Sequence, residues 1–321
     1  MKNLLPYLCA ALILNMLLLP LISVKGEEPV KKPENTVQTA APLKVQPGFK
    51  VKNTETGEIS EYSAADYVFG VVAGEMPAAY ESEALKAQAV AAYTYALYKK
   101  DVNKNEDYDI TNNSSLDQVF ITRQKARSNW GDNADKYETK IDEAVKAVQN
   151  QIITYNGAPI MAVYHAISAG KTESAENVWG KAIPYLVPAE SIGDLLAGNY
   201  LSEVSFTPEE FKQKTAEKLT LSGNAEKYIT DIKRSESGTV LTLKICGTGI
   251  SGKELKGLLG LKSANFDVTY KNGKLTFTVR GFGHGVGMSQ YGANYMAKQG
   301  SSYTDILAHY YKGCSLKTVN G

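Results

Sequence analysis

The sequence predicts an α+β protein: a mixed main domain with a central alanine-rich helix and a smaller inserted α+β lobe, after an N-terminal membrane anchor. Three observations support this fold class. The run Ala84 to Leu97 is alanine-rich and apolar on most faces, which is typical of a helix buried within a domain. Strand-like runs and short helical patterns alternate over about residues 203–275, where we expect the inserted lobe. Leu4 to Val24 contains no charged residue.

The N-terminal segment over residues 1–24 is long enough to cross a bilayer core, which needs about 20 apolar residues. A cleaved signal peptide is the alternative, but Ser23-Val24-Lys25-Gly26 makes a poor cleavage site. We therefore expect a single-pass anchor. Residues 25–47 are polar and proline-containing, which predicts an extended linker, and residues 48–321 form the remaining domain.

The composition limits the classes of partner. A net charge of +1 gives no strong positive field, so a nucleic-acid partner is not expected. The chain has 20 tyrosines and 8 phenylalanines, and tyrosine offers a flat apolar face with a polar tip that suits stacking on sugars. The bias is also common on extracellular surfaces.

The first elements of the domain place a glutamate at the end of a helix. Phe49–Lys52 and Ile59–Tyr62 flank a turn signal, which predicts a β-hairpin. Ser63 is suited to cap the helix that follows. Glu75 stands near the end of that helix, shortly ahead of Pro77, where the chain avoids helical geometry. Its side chain is therefore expected to project into a cleft.

The alanine-rich helix is expected to start at an N-cap on Ser82, with Glu83 in its first turn. Lys86 and Gln88 interrupt its apolar surface. Because buried polar side chains need partners, one or both of them line the cleft. Alternatively, Lys86 reaches solvent and Gln88 bonds to a neighbouring backbone group.

Later patterns alternate between helices and strands. A helix over Ile141–Val148 precedes a strand pair, Gln151–Tyr155 and Ile160–His165. Thr207 is suited to cap a helix that runs to Leu219. The remaining patterns predict strands over 228–234, 239–246, 266–270 and 275–280 and a short helix over 251–259.

The stretch Gly281–Ala293 has four glycines at alternate positions around His284, one of three histidines in the chain. Glycine at this density costs backbone entropy and packs no side chain. A segment accepts that cost where a ligand or another backbone approaches closely. The stretch therefore predicts a binding wall. The alternative is a glycine-bulged strand with His284 as a satisfied core residue.

Four motifs in order, together with the alanine-rich helix, resemble the stage II sporulation protein D family of peptidoglycan-cleaving proteins, which includes proteins described as amidase enhancers. The resemblance covers roughly Phe49 to the C-terminus. The motifs are Tyr67–Pro77, Tyr164–Thr172, Gly281–Ala293 and Tyr303–Tyr311.

The resemblance implies a lytic transglycosylase without a cofactor. It would cleave glycan strands, stripped of stem peptides, between N-acetylmuramic acid and N-acetylglucosamine and leave 1,6-anhydro ends. It implies an extracytoplasmic domain on the cell membrane during forespore engulfment, with a cell-wall amidase and another membrane protein as partners. Two alternatives stay open: a non-catalytic glycan-binding enhancer of an amidase, and a structural scaffold.

Glu75 is the expected catalytic residue. Apolar Val71, Val72 and Met76 nearby would raise its pKa and keep it protonated. The resemblance implies that this one carboxyl serves first as acid to the leaving oxygen and then as base to the sugar's 6-hydroxyl. Alternatively, Glu75 caps the next helix or pairs with Lys86.

Helix capping or packing is the alternative role for His284, Gln290, Ser289 and Tyr291, and a core role is the alternative for His165. Tyr93 stands where many relatives carry an arginine, and it is suited to stack on a sugar. Some relatives hold zinc near the loop after His165, but Lys171, Glu173 and Glu176 stand here without a cysteine. We therefore expect no bound metal. The expected substrate-binding residues are His284, Gln290, Ser289, Tyr291, Gln88, Tyr93 and His165.

Overall fold

The computed structural model describes residues 48–319, so the predicted anchor over 1–24 and the linker over 25–47 lie outside the described residues. The described residues form nine α-helices and fourteen short strands in five small sheets. The predicted mixed α+β class is confirmed. Within residues 48–319, no helix combines the length and the apolar character needed to cross a bilayer.

The predicted hairpin is present at the start of the described chain. β1 (Gly48–Lys52) pairs antiparallel with β2 (Ile59–Ser63), and β3 (Ile110–Thr111) joins β1 in parallel. Phe49 and Val51 of β1 are buried in the main hydrophobic core. The sheet therefore closes one side of the main core.

The first helix places Glu75 as predicted. Ser63 caps α1 (Ala64–Glu75), and its hydroxyl accepts a hydrogen bond from the Asp66 N–H group. Glu75 is the last residue of α1, and Met76 has an extended backbone with φ −119° and ψ 140°. The chain turns away at that point, so the Glu75 side chain emerges from a helix end.

The central helix, α2 (Ser82–Val102), is longer than the predicted run to Leu97, and its alanines are buried in the main core. Ser82 is its first residue, so the prediction that Ser82 is the N-cap was wrong. Glu81 occupies that position, and its backbone N–H donates to Asn294 Oδ1 at 2.8 Å. This tertiary hydrogen bond accounts for the shift of the helix start by one residue.

Two helices follow where the sequence predicted one. The predicted helix over 141–148 is the second half of α4 (Ala134–Ala147), and α3 (Arg123–Trp130) was missed. α3 has a single buried residue, Ala126, so it lacks the apolar periodicity of a core helix. Ala126 and Trp130 pack on the main core, and Arg123 adds ion pairs with Asp66, Glu138 and Asp142.

The predicted strand over 160–165 was wrong as a single element. β4 (Gln151–Tyr155) pairs with β14 (Ser315–Thr318) on one side and with the two-residue β5 (Ala158–Pro159) on the other. The chain then leaves that sheet, and β6 (Tyr164–His165) pairs in parallel with β13 (Met288–Ser289). Residues 164–165 are thus held by the glycine-rich segment, which brings two of the family-like motifs together.

A second hydrophobic core is made by side chains between Phe206 and Val279. It lies over the range of the predicted lobe and extends beyond residue 275, because β12 (Lys274–Arg280) pairs with β7 (Leu201–Phe206). That this range is an inserted unit remains a proposal. The other elements are α5 (Ala175–Trp179), α6 (Pro208–Thr215), β8 (Ile229–Arg234), β9 (Val240–Ile245), β10 (Thr248–Ser251), α7 (Gly252–Leu259), β11 (Phe266–Lys271), α8 (Gln290–Lys298), α9 (Tyr303–Tyr310) and β14 (Ser315–Thr318).

Thr207 caps α6 as predicted, in a capping box with Glu210. The helix ends at Thr215 rather than at the predicted Leu219. Leu219 and Leu221 are both buried in the second core. Beyond Thr215 the chain packs both leucines into the second core without forming an α-helix.

Candidate active site

Glu75 is half-buried and contacts residues from three distant parts of the chain. The Val119 N–H group donates to Glu75 Oε1 at 2.7 Å. The side chains of Tyr164 and Gln290 also form hydrogen bonds with the carboxyl group. Burial raises the pKa of Glu75, and the hydrogen bonds from the Val119 N–H group and from Gln290 oppose that shift only in part. The site therefore favours a carboxyl group that holds its proton above the usual pH range.

The hydrogen bonds around Gln118 give the site a direction. Gln118 Nε2 donates to the Ala92 carbonyl oxygen at 3.3 Å and to the Tyr67 hydroxyl at 3.0 Å. A carbonyl oxygen only accepts, so the amide nitrogen must face Ala92. Gln118 Oε1 then accepts from the Tyr164 hydroxyl at 2.8 Å. Tyr164 donates its single proton to Gln118 and presents a lone pair to Glu75, which a protonated carboxyl group matches best.

Gln88 and Gln290 meet beside this carboxyl group. Gln290 Nε2 approaches Gln88 Oε1 at 3.4 Å, and both side chains are buried. Gln88 Nε2 has no hydrogen-bond partner among the described residues. A buried amide group usually has one, so this donor is free to bind a ligand or water at the site.

His284 and His165 form a second cluster. The Val286 N–H group donates to His284 Nδ1 at 3.0 Å, and the His284 ring lies 5.3 Å from Trp179 and 5.8 Å from His165. His165 Nδ1 lies 3.1 Å from the Val286 carbonyl oxygen, whereas its buried Nε2 has no partner within the described chain. Burial lowers the pKa of His284 to about 3 and that of His165 to about 4, so both rings are neutral near pH 7.

β6 separates the two clusters. Successive strand residues point to opposite faces, and here the Tyr164 side chain meets Glu75 whereas that of His165 meets His284. His284 also forms a hydrogen bond with the Tyr164 backbone. Among residues 48–319, no hydrogen bond joins His284 to Glu75. The groups that orient Glu75 are those of Val119, Tyr164 and Gln290.

Two other expected site residues have structural partners. Ser289 is fully buried, donates to Asp194 Oδ1 at 2.8 Å and accepts the Gly292 N–H group as the N-cap of α8. Tyr291 is half-buried, and its ring lies edge-on to that of Tyr80 at 6.3 Å. Ser289 thus fixes the start of α8, while the pair of tyrosine rings remains accessible.

Tyr93 is the remaining expected site residue. It is 5% exposed and packs edge-on against Phe49 at 6.0 Å. It lines a small cavity together with Ala64 and Val68. The residues that bind the Glu75 carboxyl group, Val119, Tyr164 and Gln290, do not line this cavity. The structure thus places the Tyr93 ring at this cavity, beside Phe49.

The glycine-rich stretch packs closely against the protein's own backbone. A Cβ atom on Gly287, where φ is +73°, would lie 2.0 Å from the Val163 carbonyl oxygen. One on Gly281, where φ is +74°, would lie 2.6 Å from the Ile167 carbonyl oxygen. The close approach of another backbone is therefore observed at these glycines, and His284 lines the neighbouring cavity.

Sequence reasoning missed Gln118, Val119 and Tyr164 as parts of the site. Gln118 and Val119 lie in an irregular loop between β3 and α3, where no periodic pattern marks them. Tyr164 stands inside a family-like motif, and its place beside His165 in a short strand was the available signal. Within the described chain, no group of three His, Cys, Asp or Glu side chains is arranged to hold a metal ion.

Comparisons with known proteins agree on one family. The Stage II sporulation protein family model matches residues 52–155. A stage II sporulation protein D of Bacillus amyloliquefaciens is 36% identical, over 98% of this chain and 94% of its own length. That of Bacillus subtilis is 36% identical, over 93% of this chain and 87% of its own. An amidase enhancer of Bacillus subtilis is 28% identical, over 77% of this chain and 40% of its own.

Proposed function

The chain belongs to the stage II sporulation protein D family, and from that membership we propose that it is a lytic transglycosylase of peptidoglycan. The substrate is the glycan strand, freed of stem peptides, and the cut falls between N-acetylmuramic acid and N-acetylglucosamine. The observation that carries the proposal is the Glu75 carboxyl group, which is half-buried and whose pKa is raised by burial.

Glu75 acts twice in the proposed reaction. Its proton passes to the glycosidic oxygen as the bond to the muramyl anomeric carbon breaks. The muramyl 6-hydroxyl then bonds to that carbon and gives its proton to the Glu75 carboxylate. The products are a 1,6-anhydro end and a free 4-hydroxyl group, no water is consumed, and Glu75 recovers its proton.

The surroundings of other buried carboxylates support a reaction with one carboxyl group. Asp117 forms an ion pair with Lys99 at 2.7 Å. Asp194 accepts from the Ser289 hydroxyl, and Glu173 accepts from the Ser235 hydroxyl at 2.5 Å. A hydrolytic glycosidase normally uses a second carboxylate as nucleophile or base. These three are engaged elsewhere in the fold, which favours the intramolecular route.

The neighbours of Glu75 take separate roles in this proposal. Gln290 and the free amide of Gln88 bind sugar hydroxyl or acetamido groups, and Tyr291 packs on a sugar face. His284 lines a separate cavity on the other side of β6, with His165 beside it, and Ser289 positions α8. A sugar contact by Tyr93 would require a second surface.

We propose the cellular setting on the family membership. The domain works outside the cytoplasm during engulfment of the forespore, held at the cell membrane by the segment over residues 1–24. A cell-wall amidase would supply peptide-free strands, and a further membrane protein would complete the assembly. These partners follow from the family and from the relative named an amidase enhancer.

Replacement of Glu75 by glutamine tests the function directly. Glu75→Gln keeps the shape of the side chain but cannot transfer a proton, and a general acid or base typically contributes about 10²–10⁴-fold to a rate. We expect release of soluble fragments from peptide-free glycan to fall by at least ~100-fold. Glu81→Gln, at an exposed position, is the matched control and should keep wild-type activity. Equal rates in all three proteins would exclude Glu75 as the catalytic group.

A non-catalytic enhancer of an amidase is the second candidate, favoured by the relative that bears that name. It predicts that both the wild type and Glu75→Gln accelerate peptide release by a purified cell-wall amidase equally. The transglycosylase proposal predicts glycan fragments from the wild type even when no amidase is present. The two measurements together separate the candidates.

A further inference from the structure

A cavity of about 170 Å³ lies beside the glycine-rich stretch, where that stretch meets residues of the second core region. Its lining includes His284 and Trp179 together with four basic side chains. None of the described residues that line it is an aspartate or a glutamate. The basic residues are Lys171, Lys253, Lys256 and Arg280.

The positive charge of this cavity is only partly balanced by the protein. Arg280 pairs with Asp267 at 2.6 Å, and Lys171 meets two exposed glutamates at 3.6 and 3.9 Å. Lys253 and Lys256 form no ion pair with any residue of the described chain. Lys256 is half-buried, and its pKa is lowered by burial and by the charge of Lys253. Two neighbouring ammonium groups thus lack a counter-ion within the fold, which favours an anionic ligand.

The same cavity has a surface for a sugar ring. Trp179 is 37% exposed, and its ring stands 5.3 Å from that of His284. Lys256 also acts on His284 and helps to lower the pKa of that ring, so His284 adds a polar but uncharged wall. Aromatic faces stack on the apolar faces of sugars. Cationic and aromatic groups together fit an acidic sugar better than an isolated inorganic anion.

We propose that this cavity binds the carboxylate of a muramic acid lactyl group, with Lys253 and Lys256 as its counter-ions and Trp179 against the sugar ring. The inference rests on the proposed function, because it assigns a subsite for the same glycan. In a strand freed of stem peptide the lactyl group ends in a charged carboxylate. In a peptide-bearing strand the same carbon forms an uncharged amide.

The size of the cavity agrees with this ligand. The cavity of about 170 Å³ has room for a small anionic group. A lactyl carboxylate fits that space, and the two lysines would distinguish its charge from the uncharged amide of a peptide-bearing strand. The subsite would therefore select strands by the state of the lactyl group, at a place separate from Glu75.

The test compares two glycan probes on the purified full chain carrying Glu75→Gln, so that no probe is cleaved. One probe is peptide-free glycan, and the other is the same glycan with its lactyl carboxyl groups reduced to alcohols. We expect the carboxylate form to bind at least ~10-fold more tightly, which corresponds to ~1.4 kcal/mol. Lys253→Gln/Lys256→Gln should abolish that difference and leave binding of the reduced probe within about twofold.

Two further variants control for charge and for folding. Lys227→Gln/Lys233→Gln removes the same charge from exposed positions elsewhere between residues 201 and 280, and it should keep the preference for the carboxylate probe. Lys256→Arg keeps a cation in the cavity and should retain most of the preference. A loss of the same size on both probes in Lys253→Gln/Lys256→Gln would overturn the proposal, because it would mark a general defect.

Other ligands give distinct outcomes. Equal binding of the two probes by the Glu75→Gln parent would overturn the proposal. Peptide-bearing strands that bind equally tightly through the same lysines would assign the site to a stem-peptide carboxylate instead. Competition by polyglycerol phosphate at lower concentration than by glycan would assign it to a phosphate polymer. These experiments measure binding alone. Whether the wild type cleaves glycan is measured in a separate assay, so failure of the proposed function can be distinguished from failure of the proposed subsite.

Discussion

Gln118→Met should lower the pKa of Glu75. Methionine fills a similar volume but cannot accept the proton that Tyr164 donates to Gln118 Oε1 at 2.8 Å. The Tyr164 hydroxyl would then turn its proton toward Glu75 and stabilise the ionised carboxylate. The variant thus changes the direction of one hydrogen bond without touching the carboxyl group itself.

A hydrogen bond to a charged group contributes about 1.5–3 kcal/mol, and one pKa unit corresponds to about 1.36 kcal/mol. We therefore expect the pKa of Glu75 to fall by about one to two units. If the pKa of Glu75 falls, its carboxyl group loses its proton at a lower pH. The alkaline limb of the pH–rate profile should therefore shift to lower pH by the same number of units. The Ala92 carbonyl and the Tyr67 hydroxyl also lose their donor, which should cost about 1–3 kcal/mol of stability.

The assay has two readouts. The first is the pH profile of fragment release from peptide-free glycan. The second needs no activity: NMR titration of carboxyl-labelled protein, with the Glu75 signal identified by its loss in Glu75→Gln. In a background of Tyr164→Phe no hydroxyl remains to turn, so adding Gln118→Met should produce no further downward shift. An unchanged or raised pKa in Gln118→Met, or an equal shift in both backgrounds, would refute this account of the hydrogen bonds.

Two further predictions concern stability, each measured by urea unfolding. Gly287→Ala should lower the free energy of unfolding by at least about 2 kcal/mol, because the left-handed backbone alone costs about 1–2 kcal/mol and the Cβ atom would press on the Val163 carbonyl oxygen. The control Gly257→Ala lies at an open helical position and should raise the free energy of unfolding by about 0.5–1 kcal/mol. Equal effects of the two substitutions would contradict the close packing at Gly287. Burial lowers the pKa of His165 to about 4 against about 6.5 unfolded, so the unfolded state binds more protons and stability falls as pH drops from 6.5 through 4. Between pH 7 and pH 5 the free energy of unfolding should fall by about 2 kcal/mol more in the wild type than in His165→Gln. Equal falls in the two proteins would argue against a neutral buried ring.

Local signals in the sequence predicted much of the fold. Ser63 and Thr207 are caps with a direct hydrogen-bonding role, so both helix starts were predicted correctly. The alanine-rich run likewise predicted the central helix α2, because the signal lies within the helix itself. The misses depend on tertiary structure: α3 is held by Ala126 and Trp130 on the main core and by the ion pairs of Arg123, and the run 160–165 is divided because β6 pairs with a segment far along the chain.

The residues of the candidate site also fall into those marked by local sequence and those placed by tertiary structure. Glu75 was predictable because a helix end and a proline lie beside it. Gln118 and Val119 were not, since an irregular loop brings them to the carboxyl group and no local pattern marks such a loop. The position of Tyr93 was equally hidden, because which face of a buried helix meets the cleft depends on the packing of its neighbours.

The most direct test of the central claim is mass spectrometry of the products formed from peptide-free glycan by the wild type and by Glu75→Gln. Transfer of the proton from the 6-hydroxyl to Glu75 predicts fragments that end in 1,6-anhydro muramic acid, from the wild type alone. Reducing ends would mean that water attacks the anomeric carbon and that a second catalytic group is missing from this account. Anhydro fragments from Glu75→Gln at the wild-type rate would contradict the role of Glu75 itself.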